Sequence, residues 1–182
     1  MAYRSGTTPI VVMGLMGAGK TTLARLLAEA LGMPLRDSDA DLAARYGMTA
    51  AELHAREGVA ALHAKEAELL LDALAQRPPA VVAAAASTVD RARTVAALRA
   101  AFVVFLDAPP EVLAARMRSS PHRPHFQPDL TAMLREQRAR RIAAFRAVAD
   151  VIADSGAHAP EEIAAQVLGV LGSAAEVPAD GG

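Results

Sequence analysis

Residues 10 to 22 read Ile-Val-Val-Met-Gly-Leu-Met-Gly-Ala-Gly-Lys-Thr-Thr, an apolar run broken by glycines and closed by a lysine and two threonines. Ile10 to Met13 carries no polar side chain on either alternate face, the pattern of a strand buried on both sides in a parallel sheet. Beyond the glycines, Leu23, Leu26, Leu27, Ala30 and Leu31 recur at helical spacing, and Gly32 stands in the C-cap place. Strand, glycine loop and helix in that order make a P-loop. Gly14, Gly17 and Gly19 let the backbone curl until its N–H groups converge on phosphate oxygens, and the helix N-terminus adds positive potential. In Gly14-Leu15-Met16-Gly17-Ala18-Gly19-Lys20-Thr21, the Lys20 ammonium reaches the β/γ-phosphates and the Thr21 hydroxyl offers a ligand to Mg²⁺. Ala18 and Thr22 complete the expected nucleotide contact. ATP and Mg²⁺ are therefore the expected cofactors. A glycine-rich turn that merely precedes a lysine would not need the strand and the helix on either side.

Outward from this motif, strand-like runs alternate with helical patterns, which predicts a three-layer α/β/α P-loop fold with a five-stranded parallel sheet. Pro34 to Arg36 reads as a short second strand ending at Asp37-Ser38-Asp39, and a helix follows to Tyr46 with Gly47 as its stop. Thr49-Ala50-Ala51-Glu52 is a capping box, and further helices are expected over Val59 to Ala75, Val89 to Leu98, Leu130 to Val148 and Pro160 to Leu171. Val81 to Ala85, Phe102 to Leu106 and Val151 to Ala153 supply the remaining strands. Pro109-Pro110-Glu111 opens one more helix, proline being suited to a first turn. Residues 9–172 read as a single P-loop domain, with fraying ends at 1–8 and 173–182. Between about 119 and 129, three prolines, two histidines and Arg123 show no apolar period, as expected of a lid loop.

The chain has 182 residues, no cysteine, a net charge of −1 and a pI near 6.5. Disulfides and thiolate metal sites are excluded, and the expected compartment is the cytoplasm. A near-neutral chain has no electrostatic footprint for nucleic acid or an anionic membrane, so phosphate recognition has to be local. Its only lysines are Lys20 and Lys65. No run of 18 apolar residues predicts a membrane span. The expected partner is a small-molecule substrate, and the expected state a monomer.

Two carboxylates at the end of the second strand fall at the sheet edge where open α/β folds bind ligands. One of Asp37 and Asp39 can hold Mg²⁺ while the other orients or deprotonates an acceptor hydroxyl. The structural alternative is that Asp39 caps a helix beginning at Ala40, with Asp37 a solvated acid.

With these residues in place, the chain from Ile10 to Leu171 resembles the shikimate kinase family. The resemblance implies that Lys20 and Thr21 are the P-loop lysine and magnesium-binding hydroxyl, Asp37 the magnesium-side aspartate and Asp39 the aspartate that binds and orients shikimate. It implies that Arg123, in Arg123-Pro124-His125-Phe126, begins the lid motif, and that Arg116 lies against the adenine. Arg141, nine residues before Asp150, matches the arginine that helps hold the shikimate carboxylate, with Phe145 in place of a tyrosine. The departures fall on the acceptor side. His63, in Gly58-Val59-Ala60-Ala61-Leu62-His63-Ala64-Lys65-Glu66, replaces a shikimate-binding arginine, and Ala85-Ala86-Ser87 replaces a triple-glycine turn. Histidine offers one nitrogen and is mostly neutral at pH 7, where arginine grips a carboxylate with a charged fork. Added methyls at Ala85 and Ala86 narrow the space for substrate. The expected reaction is phosphoryl transfer from MgATP to a hydroxyl of shikimate or a related small cyclic acid, catalysed by Lys20, Asp39 and Arg123. Two alternatives stay open: a nucleotide-binding regulatory protein that has lost its acceptor site, and a kinase for a different small metabolite.

Overall fold

A computed structural model describes residues 6–119 and 129–175. Five strands, β1 (Ile10–Gly14), β2 (Leu35–Asp37), β3 (Val81–Ala83), β4 (Phe102–Asp107) and β5 (Val151–Asp154), form one parallel sheet in the order β2-β3-β1-β4-β5. The helices among the described residues are α1 (Lys20–Leu31), α2 (Ser38–Tyr46), α3 (Ala50–Glu57), α4 (Val59–Ala75), α5 (Ala92–Leu98), α6 (Pro110–Arg118), α7 (Leu130–Val148) and α8 (Pro160–Ala175). This is the expected α/β P-loop fold. Ile10, Val11, Val12 and Met13 are all 0% exposed, because β1 pairs with β3 on one side and β4 on the other and both sheet faces are covered. The central place of β1 puts its loop at the C-terminal edge, flanked by the ends of β3 and β4.

Helix ends follow their cap residues. Gly32 and Gly47 close α1 and α2 in left-handed conformations (φ 61° and 66°), and Thr49 with Glu52 forms the expected reciprocal capping box of α3. α4 and α7 occupy the residues that periodicity predicts. Phe145 on α7 stacks on Phe105 of β4 with ring centroids 4.8 Å apart and planes 15° from parallel. Such a pair is worth about 0.5–1.5 kcal/mol beyond its area burial, and it pins the face of α7 that also carries Arg141, one turn earlier.

Several boundaries differ from expectation for identifiable reasons. The second strand begins at Leu35 and includes Asp37, and it is Asp37 that caps α2: its carboxylate accepts from Asp39 N at 2.9 Å and Ala40 N at 3.5 Å. Asp39 is therefore not the cap but sits inside the first turn. The third strand ends at Ala83, and the helix expected from Val89 is divided. A 3-10 turn covers Ala86–Asp90, Arg91 is extended, and α5 starts at Ala92. Thr94 holds the break by donating its hydroxyl to the carbonyls of Thr88 and Arg91. The last helix runs on to Ala175.

Candidate active site

The glycines of the loop do different work. At Gly14 (φ 150°) a Cβ would stand 2.5 Å from the Leu106 carbonyl oxygen, so β1 and β4 can pair this closely only without a side chain there. A Cβ on Gly17 would meet Leu113 O at 3.1 Å and Met117 Cγ at 3.2 Å, which seats the loop on α6. Ala18 is buried and its N–H closes the turn on Leu15 O at 3.2 Å. Gly19 begins α1 with no side-chain cap, and no acidic residue lies in the first turn, whereas α2, α3 and α7 are capped by Asp37, Thr49 and Asp129. The start of α1, at Lys20, Thr21 and Thr22, thus turns the positive end of the helix toward the loop with no acidic side chain against it. Lys20 folds back over the loop and donates from Nζ to Leu15 O at 3.1 Å.

Asp37 joins this loop to the second strand. Its Oδ2 accepts the Thr21 hydroxyl at 2.6 Å while Oδ1 caps α2. Arg36 fixes the strand from the other side, donating to Asp41 at 2.8 Å and to Gln76 at 2.7 Å. Thr21 and Asp37 are two hard oxygen donors side by side, and no group of three or more His, Asp or Glu side chains suited to a metal exists among the described residues. That donor set fits Mg²⁺, which keeps most of its ligands as water and phosphate oxygens.

On the acceptor side the structure gathers Asp39, Glu66, Ser87, His63, Asp90 and Arg141. Asp39 is exposed at the start of α2, where its charge suits the helix dipole. Glu66 accepts the Ser87 hydroxyl and is held above the usual carboxylate range, chiefly by burial. Ser87 opposes that rise, Asp39 adds to it, and the positive charges of Arg141 and Lys20 oppose it in turn. Arg141 is buried at 6% exposure, and its Nε and Nη2 clasp both oxygens of Asp90 at 2.6–3.1 Å while Nη1 reaches Gln137 at 3.2 Å. His63, half-buried nearby, is pushed below the usual histidine value first by burial and then by the charge of Arg141. Asp90 acts the other way, while Arg91 and His54 add to the fall. Lys65 is turned elsewhere, to Glu57 at 2.5 Å and the Tyr46 ring at 4.9 Å. Ala85 and Ala86 lie at ordinary negative φ, and no residue other than glycine has a positive φ among the described residues. The turn therefore takes these methyls without backbone strain, and Thr88 Oγ1 secures it on Ala85 O at 2.7 Å.

Arg116 is exposed on α6 and donates to Ser155 O at 2.6 Å, in the loop after β5 on the far side of the P-loop from Asp37. Asp150, read in register with Arg141, accepts the Val103 N–H at 2.8 Å. Arg123 and the centre of the expected lid lie outside the described residues. Three participants were not singled out from sequence. Glu66 closes the quoted stretch from Gly58 without a role assigned to it, Ser87 is a changed turn residue, and Asp90 carries no motif. Their common signal is the divided helix, because the 3-10 turn is what brings Ser87 to Glu66 and Asp90 to Arg141.

Comparison with known proteins gives a consistent picture. The family model for shikimate kinase matches residues 16–172. A shikimate kinase from Thermobifida fusca (strain YX) is 34% identical over 171 residues, covering 94% of this chain and 95% of that protein. Among solved structures, the shikimate kinase from Acinetobacter baumannii in complex with shikimate has a TM-score of 0.85 at 27% identity, over 93% of this chain and 95% of that one. A gluconokinase from Sinorhizobium meliloti 1021 covers as much, 96% of each chain at 26% identity, but its TM-score is 0.57.

Proposed function

The chain belongs to the shikimate kinase family, whose members are ATP-dependent phosphotransferases acting on a hydroxyl group, and on that footing we propose that Lys20, Thr21, Asp37, Asp39 and Arg123 carry phosphoryl transfer to a small ring acceptor of the shikimate type. The observation that supports it best is the 2.6 Å bond between Thr21 and Asp37 beside the uncapped start of α1, with Asp39 two residues on. The loop from Gly14 to Gly19 and the first N–H groups of α1, with Ala18 and Thr22, cradle the phosphates of ATP. Lys20 exchanges the Leu15 carbonyl for phosphate oxygens and offsets the charge that develops on the transferred group. Mg²⁺, held by Thr21 and Asp37, would supply charge neutralisation and alignment of those phosphates. Asp39 accepts a hydrogen bond from the acceptor hydroxyl and orients it in line. Arg116 flanks the base, His63, Ala85, Ala86 and Arg141 shape the acceptor side, and Arg123 brings its charge from the lid.

The test is ADP release coupled to a reporter, with and without shikimate. Acceptor-dependent release is expected, and Lys20→Ala should lower kcat by about a hundredfold or more with an unchanged melting curve. Wild-type turnover in that variant would remove Lys20 from the reaction. ATP binding with no acceptor-dependent release would favour the nucleotide-binding regulatory reading.

A further inference from the structure

The charges on the acceptor side are already matched within the chain. Arg141 is the buried cation there, and a buried guanidinium needs a counter-charge. The structure supplies one: Asp90, delivered by the 3-10 turn after β3, takes the Nε and Nη2 edge of the fork in a two-oxygen clasp at 2.6–3.1 Å. That edge is the geometry a ligand carboxylate would otherwise use. Among the described residues, the other cations near this side, Lys20 and Arg91, are engaged elsewhere. Burial and then Arg141 disfavour a charge on His63 while Asp90 favours it, and Asp39 and Glu66 are acids. Lys20 belongs to the phosphates. Arg91 is exposed to solvent, where screening weakens it, and donates to Ala60 O at 3.5 Å. The other hydrogen-bonding groups on this side, Asp39, Glu66, Ser87 and His63, are suited to hydroxyls.

We propose that Asp90 is a specificity-determining residue: it fills the anion-binding place at Arg141 from within the chain, so that the site prefers an uncharged polyhydroxylated ring over the same ring bearing a carboxylate. This rests on the proposed phosphoryl transfer and settles the charge of its acceptor. Asp90 touches no reacting atom and acts through Arg141.

The direct test compares shikimate with its methyl ester, the same ring without the charge, by calorimetry on the intact protein with ADP and Mg²⁺ present. The native protein should bind the ester at least as tightly as the acid. Asp90→Asn, which keeps an oxygen for Arg141 but removes the charge, should tilt the ratio toward the acid by about tenfold or more, as expected when a charge-assisted clasp becomes available. ATP affinity is the control. A native preference for the acid of more than threefold would overturn the inference without any variant, so a misfolded Asp90→Asn protein does not protect it. A shift of less than threefold in a folded Asp90→Asn protein would overturn it as well. Turnover distinguishes the two levels. A protein that binds ATP but neither binds nor phosphorylates either ring defeats the phosphotransfer reading, whereas phosphorylation with a clear preference for the acid defeats only the role of Asp90.

Discussion

Replacing Asp37 separates its structural work from its chemical work, because one oxygen caps α2 and the other meets Thr21. In Asp37→Asn the amide oxygen still accepts from Asp39 N, and asparagine is as good an N-cap as aspartate. What is lost structurally is the negative charge at the start of α2, about 0.3–1 kcal/mol. Asp37→Ala loses the cap as well, a further 0.5–2 kcal/mol or so. For a domain of this size each kcal/mol moves Tm by about 2–4 °C, so Asn should lower it by about 1–4 °C and Ala by about 2–12 °C. The chemical loss should be alike in both, because neither side chain offers a carboxylate to Mg²⁺: kcat/KM should fall on the order of a hundredfold or more. Thermal melts beside ADP release titrated with Mg²⁺ give both readouts. If Asp37→Asn turned over like wild type at limiting Mg²⁺, or melted as low as Asp37→Ala, the division of labour between the two oxygens would be wrong.

Two further measurements probe neighbouring features. Gly14→Ala should destabilise by about 2–4 kcal/mol through crowding of the Leu106 carbonyl and backbone strain, while Gly19→Ala, with no atom within 4 Å of the added methyl, should bear only the strain of its positive φ. Equal melting temperatures for the two would contradict the close β1–β4 approach. For Glu66, the folded protein holds the proton more tightly than the unfolded chain does. Its contribution to stability is therefore full below about pH 4.3, the ordinary glutamate value, and is lost as pH rises through the raised one. Glu66→Gln lacks that loss and should gain stability relative to wild type as pH rises over this range. Denaturation curves of the two proteins that run parallel with pH would show that Glu66 is not buried as described.

The nucleotide half of the site was legible because its signals are local. Gly14 to Thr21 specifies strand, loop and helix within a dozen residues, and the capping box at Thr49 and the C-cap glycines fix their helix ends without help from the rest of the chain. Asp37 stands out as a candidate by its place after a strand, but its role as the cap of α2 does not, since two aspartates two apart offer the same cap from sequence. The acceptor half depends on distant partners. Nothing near Arg141 in sequence indicates Asp90, 51 residues away, and periodicity reads straight from Val89 to Leu98 where Thr94 breaks the helix by bonding back to backbone carbonyls. A pair of side chains that meet only after β3 and α7 have packed leaves no pattern along the chain.

The strand order has a consequence for how such a protein can change over generations. With the P-loop strand in the middle of β2-β3-β1-β4-β5, the proposed function has the two substrates served from opposite flanks of the sheet. Asp37, Asp39 and the turn from Ala84 to Asp90 hang from β2 and β3, while Arg116 and the Ser155 loop belong to β4 and β5. Substitutions far apart with no shared partners combine nearly additively. On the proposed function, the β3 flank can therefore change its turn residues while the opposite flank continues to serve the nucleotide. Arg141 is the exception: it belongs to a helix packed on β4 through Phe145 yet reaches across to Asp90, so a lineage exploring new acceptors meets its constraint at that one residue.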